Sequence, residues 1–380
     1  MSDLLKILLV EDNPEHAELI RAQLRRVSGA AVRLDLAERL AEGLAKIDGD
    51  KVDAVLLDMM LPDSRGIETV SRVHAHAPSV PIVVLTSAEG ESYGIEALQH
   101  GAEDYIFKGR MDGQGLMRSI RYAIERSGRR RAELALDAAR QELLIAKKIQ
   151  QSLYPRSAPP MDSLEIAGFS QPAESVGGDY FDYIQMPGGR LGVPIGDVSG
   201  HGIGPALLMA ETRAAVRTLG RTCPDVGEAL TLANRILLDG VLEGRFVTLL
   251  FISIDPVQRT LTYAGAGHPD GLLIDRSGEI VTRLPSSGFP LGVVRDEIYP
   301  VHGPIPFEAG QTLLLYTDGL LDASPPGAVR PFGADRVMQV VRRNLHRPAA
   351  QILEALHQAV AQYSPGKPTD DITAVVVKSL

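Results

Sequence analysis

Four short apolar stretches in the first third of the chain end in residues that could act together on a phosphoryl group. Residues 6–10 run into Glu11 and Asp12, 54–57 into Asp58, 81–85 into Thr86 and Ser87, and 104–107 into Lys108. Carboxylates held close together repel one another, so the cluster calls for a cation. Oxygen-only ligands with room for water suit Mg²⁺. With that charge neutralised, one Asp can act as nucleophile toward phosphorus, while a Lys and a hydroxyl hold the equatorial oxygens. A second set of carboxylates lies further along, beside glycine: Gly177-Gly178-Asp179, Gly196-Asp197-Val198, Thr317-Asp318-Gly319 and Thr369-Asp370-Asp371. Carboxylates from four distant segments, with no Cys–His ligand set, suit hard divalent metals. Two such metals about 3.5–4 Å apart can activate water and clamp phosphate oxygens.

The elements that must position these groups follow from the pattern between them. Helical patterns starting near Pro14, Gly66 and Ser92 separate the first apolar runs, and 32–36 fits one more strand. Strands alternating with helices predict a doubly wound parallel α/β sheet. In such sheets chemistry collects beyond the C-terminal strand ends. After Pro155, Pro159 and Pro160 the pattern changes. Alternating or apolar runs at 164–169, 190–195, 246–254, 260–264, 271–274, 311–316 and 373–378 are punctuated by hairpin signals such as Pro187-Gly188-Gly189 and Arg276-Ser277-Gly278. Helical periodicity is confined to 205–219, 226–239, 334–344 and 349–363. Strands and helices in separate batches predict an α+β domain, a two-sheet sandwich flanked by helices.

Between the two sets lies AELALDAARQELLIAKKIQQSL, residues 132–153, free of Gly and Pro and rich in strong helix formers. Ala132, Leu136, Ala139, Leu143, Ala146, Gln150 and Leu153 are spaced alternately four and three apart. That seam suits a two-helix coiled coil, and hence a homodimer. Three regions are expected: 1–125, a helical linker over 126–155, and 156–380. The net charge of −9 argues against a protein dominated by nucleic-acid phosphate contacts. Arg126, Arg129, Arg130 and Arg131 read as a solvated helix face. Cys223 is alone, which rules out an intrachain disulfide and fits a reducing cytoplasm. No signal-peptide layout opens the sequence, and no apolar run approaches the roughly 18 residues that span a bilayer. A soluble cytoplasmic protein without a membrane partner is expected.

The motifs LLVEDNPEH (8–16), VLLDMMLPDSRGIE (55–68), VVLTSAE (83–89) and GAEDYIFKG (101–109) resemble the receiver domain of two-component response regulators. The resemblance implies Asp58 as phosphoacceptor and a Mg²⁺ ion among Glu11, Asp12, Asp58 and the Met60 carbonyl. It also implies phosphoryl contacts from Thr86 and Lys108, Tyr105 as an aromatic switch, and a cognate histidine kinase as partner. Lys108 is followed by Gly109, where that family commonly has Pro.

A second group of motifs comprises AKKIQQSLYP (146–155), VGGDYFDY (176–183), IGDVSGHGIGPALLM (195–209), YAGAGHP (263–269), LYTDGLLDA (315–323) and TDDITAVVVK (369–378). It resembles the metal-dependent serine/threonine phosphatases of the protein phosphatase 2C superfamily, in the bacterial branch typified by the stage II sporulation E phosphatase. The resemblance implies two Mn²⁺ or Mg²⁺ ions held by Asp179, Asp197, Asp318 and Asp370, assisted by the Val198 carbonyl. Asp197 would bridge both ions, with Asp371 the second choice for the place of Asp370. Ser199 stands where the wider superfamily has a candidate acid; His201, two residues on, is the alternative acid. Gly265 replaces the usual asparagine before Ala-Gly-His, and His268 reads as structural. Together the two resemblances imply a response regulator whose phosphorylation on Asp58 controls a protein phosphatase, with an anti-anti-sigma factor as substrate in a partner-switching stress response. The rival reading is a catalytically weak phosphatase fold that serves as an adaptor for a sigma factor or its regulator.

Overall fold

The computed structural model describes residues 4–28, 31–87, 91–240, 244–325, 327 and 330–380. It divides into two compact units, Met1–Arg140 and Gln141–Leu380.

In the first unit the described residues form a five-stranded parallel sheet. Its order is Val32–Ala37, Leu5–Val10, Ala54–Asp58, Ile82–Thr86, Asp104–Phe107. The inner strands are apolar on both faces because helices cover both: Leu8, Val55, Leu57 and Val84 face one helical layer, and Ile7, Leu9, Leu56 and Val83 the other. The strand order reverses between Leu5–Val10 and Ala54–Asp58, so Glu11, Asp12 and Asp58 stand at the crevice where such sheets hold ligands.

The helix Gly113–Leu153 is continuous over 41 residues. Its start buries Leu116, Met117, Ile120 and Ala123 in the first unit. From Arg131 to Glu142 every residue is exposed, the apolar Leu134 and Leu136 included. Gln150 is buried, and Leu153 packs into the second unit.

The second unit is a four-layer sandwich. One sheet carries, in order, Ile184–Gln185, Leu191–Val198, Val247–Asp255, Thr260–Ala266 and His302–Pro306, with Tyr180–Phe181 also paired to Leu191–Val198. The other runs Ile280–Leu284, Gly271–Ile274, Thr312–Tyr316, Ile372–Ser379, Leu164–Gln171. Period-two alternation divides each strand between two cores. Val193, Ile195, Leu250, Ile252, Leu313, Leu315, Val375 and Val377 fill the space between the sheets. Leu249 and Phe251 meet the helices Ile203–Thr222 and Val226–Gly240, while Leu314 and Val376 meet Gly333–Asn344 and Ala349–Tyr363. Besides the two-residue Tyr180–Phe181 and Ile184–Gln185, two strands escape the sequence pattern, Ile280–Leu284 and His302–Pro306. Both are sheet-edge strands with half-exposed faces, and the second contains prolines. No helix among the described residues is long and apolar enough to cross a membrane.

Candidate functional site

The first unit brings one carboxylate oxygen each of Glu11, Asp12 and Asp58 within 4.8 Å of one another. Glu11 and Asp58 are buried at strand ends and Asp12 is exposed. Between the buried pair sits the Lys108 ammonium, 2.7 Å from Glu11 Oε2 and 2.9 Å from Asp58 Oδ2. Burial, reinforced by the charge of Asp58, raises the Glu11 pKa above its ordinary value against the pull of Lys108. His16 Nδ1 lies 3.3 Å from Glu11 Oε1, a neighbour that the sequence pattern did not flag. A cavity of about 600 Å³ opens over Asp58, lined also by Met60, Arg65, Thr86 and Lys108. Thr86 is buried, with Oγ1 3.3 Å from the Ser87 carbonyl that accepts from it. The Tyr105 ring lies against Gly94, where a Cβ would stand 2.6 Å from the ring. The Met60 side chain is exposed, and its N–H donates to Asp58 Oδ1 at 3.3 Å.

In the second unit four segments distant in sequence interlock. Thr317 Oγ1 donates to Asp179 Oδ2 at 2.8 Å and accepts from the Thr373 N–H at 3.1 Å. Asp371 is buried and its carboxylate accepts the N–H groups of Ala173 and Gly178, both at 2.6 Å. A Cβ at Gly178 would stand 2.7 Å from the Val198 carbonyl oxygen and 3.2 Å from Asp197 Oδ1, and one at Gly319 would run into the Asp371 carbonyl. Only glycine permits these approaches. Asp371 thus fastens the Asp179 loop through backbone donors, whereas Asp318 and Asp370 are exposed. No three carboxylates of this set close to within 4.8 Å among the described residues.

Electrostatics marks the set nonetheless. Burial, then the charges of Asp318, Asp370 and Asp371, pushes Asp197 up to about 8. Burial and the Asp197 charge raise Asp179 well above the carboxylate range, and burial also raises Asp318 and Asp371. Carboxylates in this condition gain from a multivalent cation, so the residues present fit divalent metal. His201 is exposed and lies 3.2 Å from Glu174, while His268 is fully buried, its Nδ1 2.9 Å from Thr248 Oγ1. Burial depresses the His268 pKa to about 3.

One participant was misplaced by spacing alone. Gln150, set on the coiled-coil seam, is turned into its own unit. Its Nε2 donates to the Gly177 carbonyl at 2.6 Å and its Oε1 accepts from the Gly177 N–H at 3.0 Å. One turn on, the Tyr154 hydroxyl donates to the Asp179 carbonyl at 2.7 Å. The signal was a polar residue at an apolar seam position.

A parallel sheet with an acidic switch-point pocket, followed by a four-layer sandwich holding a carboxylate centre, defines a receiver domain joined to a phosphatase domain of the protein phosphatase 2C type. Residues 7–121 match the response regulator receiver domain, and 187–379 match the family described as Stage II sporulation protein E (SpoIIE). The chain belongs to that family. It is 29% identical over 336 residues to Protein IcfG of Synechocystis sp., covering 80% of this chain and 51% of that protein. Phosphoserine phosphatase RsbU of Bacillus subtilis is 24% identical over 62% of this chain and 70% of its own length. The SiaA-PP2C domain of Pseudomonas aeruginosa shares the fold, with a TM-score of 0.56 at 24% identity, covering 65% of this chain and 98% of that one. The chain thus spans about half the length of IcfG.

Proposed function

We propose that the chain is a response regulator, phosphorylated on Asp58 by a histidine kinase, whose second unit hydrolyses phosphoserine or phosphothreonine on a protein. The observation that carries this reading is the interlocking of the Asp179, Asp197, Asp318 and Asp370 segments, with burial and mutual repulsion raising the Asp179, Asp197 and Asp318 pKa values. A chain serving only as an adaptor has no use for such a centre.

In the receiver, the Asp58 carboxylate attacks the phosphorus of the donor and the donor nitrogen leaves. Lys108 and Thr86 hold phosphoryl oxygens, and Glu11, Asp12, Asp58 and the Met60 carbonyl would hold Mg²⁺. In the second unit Asp179, Asp197, Asp318, Asp370 and the Val198 carbonyl would hold two Mn²⁺ or Mg²⁺ ions. Bound there, they supply a nucleophile at neutral pH and offset phosphoryl charge. Asp371 and Thr317 hold the Asp179 loop in place, and the exposed His201 remains the candidate acid. The likeness to RsbU, a phosphoserine phosphatase, supports a phosphoserine substrate; the anti-anti-sigma factor and the stress-response setting are what the resemblance to the stage II sporulation E branch implies.

The receiver over 1–125 and the phosphatase over 156–380 communicate through the 126–155 helix, which we read as pairing with a second copy. Leu134, Leu136, Leu144, Ile145 and Ile149 leave apolar surface uncovered there. Because Gln150 and Leu153 are engaged within the chain, the pairing surface ends above them. Mn²⁺-dependent phosphate release from a phosphoserine protein, measured with and without beryllofluoride, tests the whole reading. Release that never occurs refutes the hydrolysis, and release indifferent to beryllofluoride refutes the control.

A further inference from the structure

Arg245 stands just ahead of the strand Val247–Asp255. That strand pairs antiparallel with Leu191–Val198, setting Thr248 opposite Asp197 and Val247 opposite Val198. Pairing continues past the strand ends: the Ser199 N–H donates to the Phe246 carbonyl and the Phe246 N–H to Ser199 Oγ, both at 3.0 Å. The same register places Arg245 opposite Gly200, in the loop that follows the carboxylate of Asp197. Its guanidinium lies across Gly204, where a Cβ would stand 2.8, 2.9 and 3.0 Å from Nη2, Cζ and Nη1. A Cβ at Gly200 would be 3.9 Å from Nη1. Two glycines therefore make the bed on which this side chain rests.

Arg245 is half-buried, and among the described residues it has neither a hydrogen bond nor an ion pair. The comparably buried arginines of this unit are all engaged: Arg190 by the Pro187 and Pro224 carbonyls, Arg213 and Arg217 by Asp182. A guanidinium carries five donors and cannot shed its charge. Held half out of water with no partner among the described residues, it is matched by an anion that arrives from outside. A phosphomonoester dianion is that anion here, since it must enter a centre built from carboxylates. Divalent metals held by Asp179, Asp197, Asp318 and Asp370 would offset that charge, and a planar cation beside them presents a fork that fits phosphate oxygens.

We propose that Arg245 binds the phosphoryl oxygens of the substrate at the phosphatase centre, a role that rests on the hydrolytic reading above. Hydrolysis of p-nitrophenyl phosphate by the full chain in saturating Mn²⁺ tests it, in the wild type, Arg245→Ala and Arg245→Lys, with inorganic phosphate as inhibitor. In Arg245→Ala, kcat/KM is expected to fall about 10- to 100-fold, the size of a lost charge-assisted contact, mainly through KM. The inhibition constant of phosphate rises by a similar factor. The Mn²⁺ activation midpoint and the melting temperature stay where they are, and Arg245→Lys recovers part of the loss. Unchanged phosphate inhibition in Arg245→Ala overturns the proposal. So does a loss that comes with a shifted Mn²⁺ midpoint and no recovery in Arg245→Lys, because the residue then merely shapes the loop. A wild type that hydrolyses nothing overturns the hydrolytic reading instead. Calorimetric binding of inorganic phosphate to the Mn²⁺-loaded wild type and Arg245→Ala then still decides the role of Arg245.

Discussion

The two acidic sites solve one electrostatic problem differently. In the receiver the buried Glu11 and Asp58 share the ammonium of Lys108, so their repulsion is offset by the chain itself. In the phosphatase centre Asp371 leans on backbone N–H groups and Asp179 on a threonine hydroxyl, and no cation of the chain contacts Asp179, Asp197, Asp318 or Asp370 among the described residues. Neutral donors stabilise a carboxylate less than a fixed cation does: burial and then neighbouring carboxylate charges raise Asp179 and Asp197, whereas in the receiver burial raises Glu11 against the opposing pull of Lys108. The first site can fold tightly and wait for its ligand. The second depends on its ligand for electrostatic balance.

Five substitutions break or sharpen that contrast. The largest effects come from removing the central group of each site. Asp58→Ala should abolish labelling by a small phosphodonor in Mg²⁺ while leaving basal phosphatase turnover in place. Asp197→Asn should do the reverse, lowering turnover several hundredfold or more, the ~3–4 kcal/mol typical of one transition-state contact. Labelling that survives Asp58→Ala, or wild-type turnover in Asp197→Asn under saturating Mn²⁺, removes that residue from its site.

Lys108→Met makes the receiver resemble the other centre. Two buried carboxylates lose their shared cation, so stability should fall by about 3 kcal/mol. Unlike the wild type, the variant should regain much of that in Mg²⁺. Denaturant titrations with and without Mg²⁺ measure both quantities, and equal Mg²⁺ responses in the two proteins would argue against the contrast.

Gln150→Ala leaves the Gly177 N–H and carbonyl without their side-chain partner, next to Asp179. Losing such an outer support should weaken Mn²⁺ activation about 10-fold, with no change in receiver labelling. An activation midpoint equal to that of the wild type would show that the helix end and the centre are independent.

The last effect belongs to His268, and it appears only in acid. Burial keeps this imidazole neutral down to about pH 3, whereas in the unfolded chain it takes a proton near its ordinary value of 6.5. Between those values the unfolded state binds more protons, so stability falls as pH drops from about 6.5 toward 3. His268→Gln should flatten that part of the stability profile and leave its slope above pH 7 alone. Identical slopes in acid would mean that the imidazole is solvated.

Much of this architecture was legible in the sequence because burial imposes periodicity. The inner receiver strands are apolar throughout, and the sandwich strands alternate between two cores, so both sheets announce themselves. The strand-end positions of Glu11, Asp12, Asp58 and Lys108 followed directly. Ile280–Leu284 and His302–Pro306 were illegible because edge strands bury little. Gln150 was read on the wrong face, since a spacing of four and three cannot distinguish a helix gripping its own domain from one gripping a copy. The supports from Thr317 and Asp371, and the placement of the Arg245 guanidinium across Gly204, depend on contacts between residues far apart in sequence, which no local pattern encodes.

The grip of Gln150 on Gly177 also has a consequence for mass action. If docking of the helix end favours the metal-competent loop, metal binding must favour docking of the helix end by the same factor, since coupling between two equilibria is reciprocal. Cellular Mn²⁺ or Mg²⁺ would then act on this chain as an input as well as a cofactor. A rise in free metal would bias the helix just as a signal arriving along the helix biases metal uptake. The response to a given degree of receiver phosphorylation would shift with the metal status of the cell.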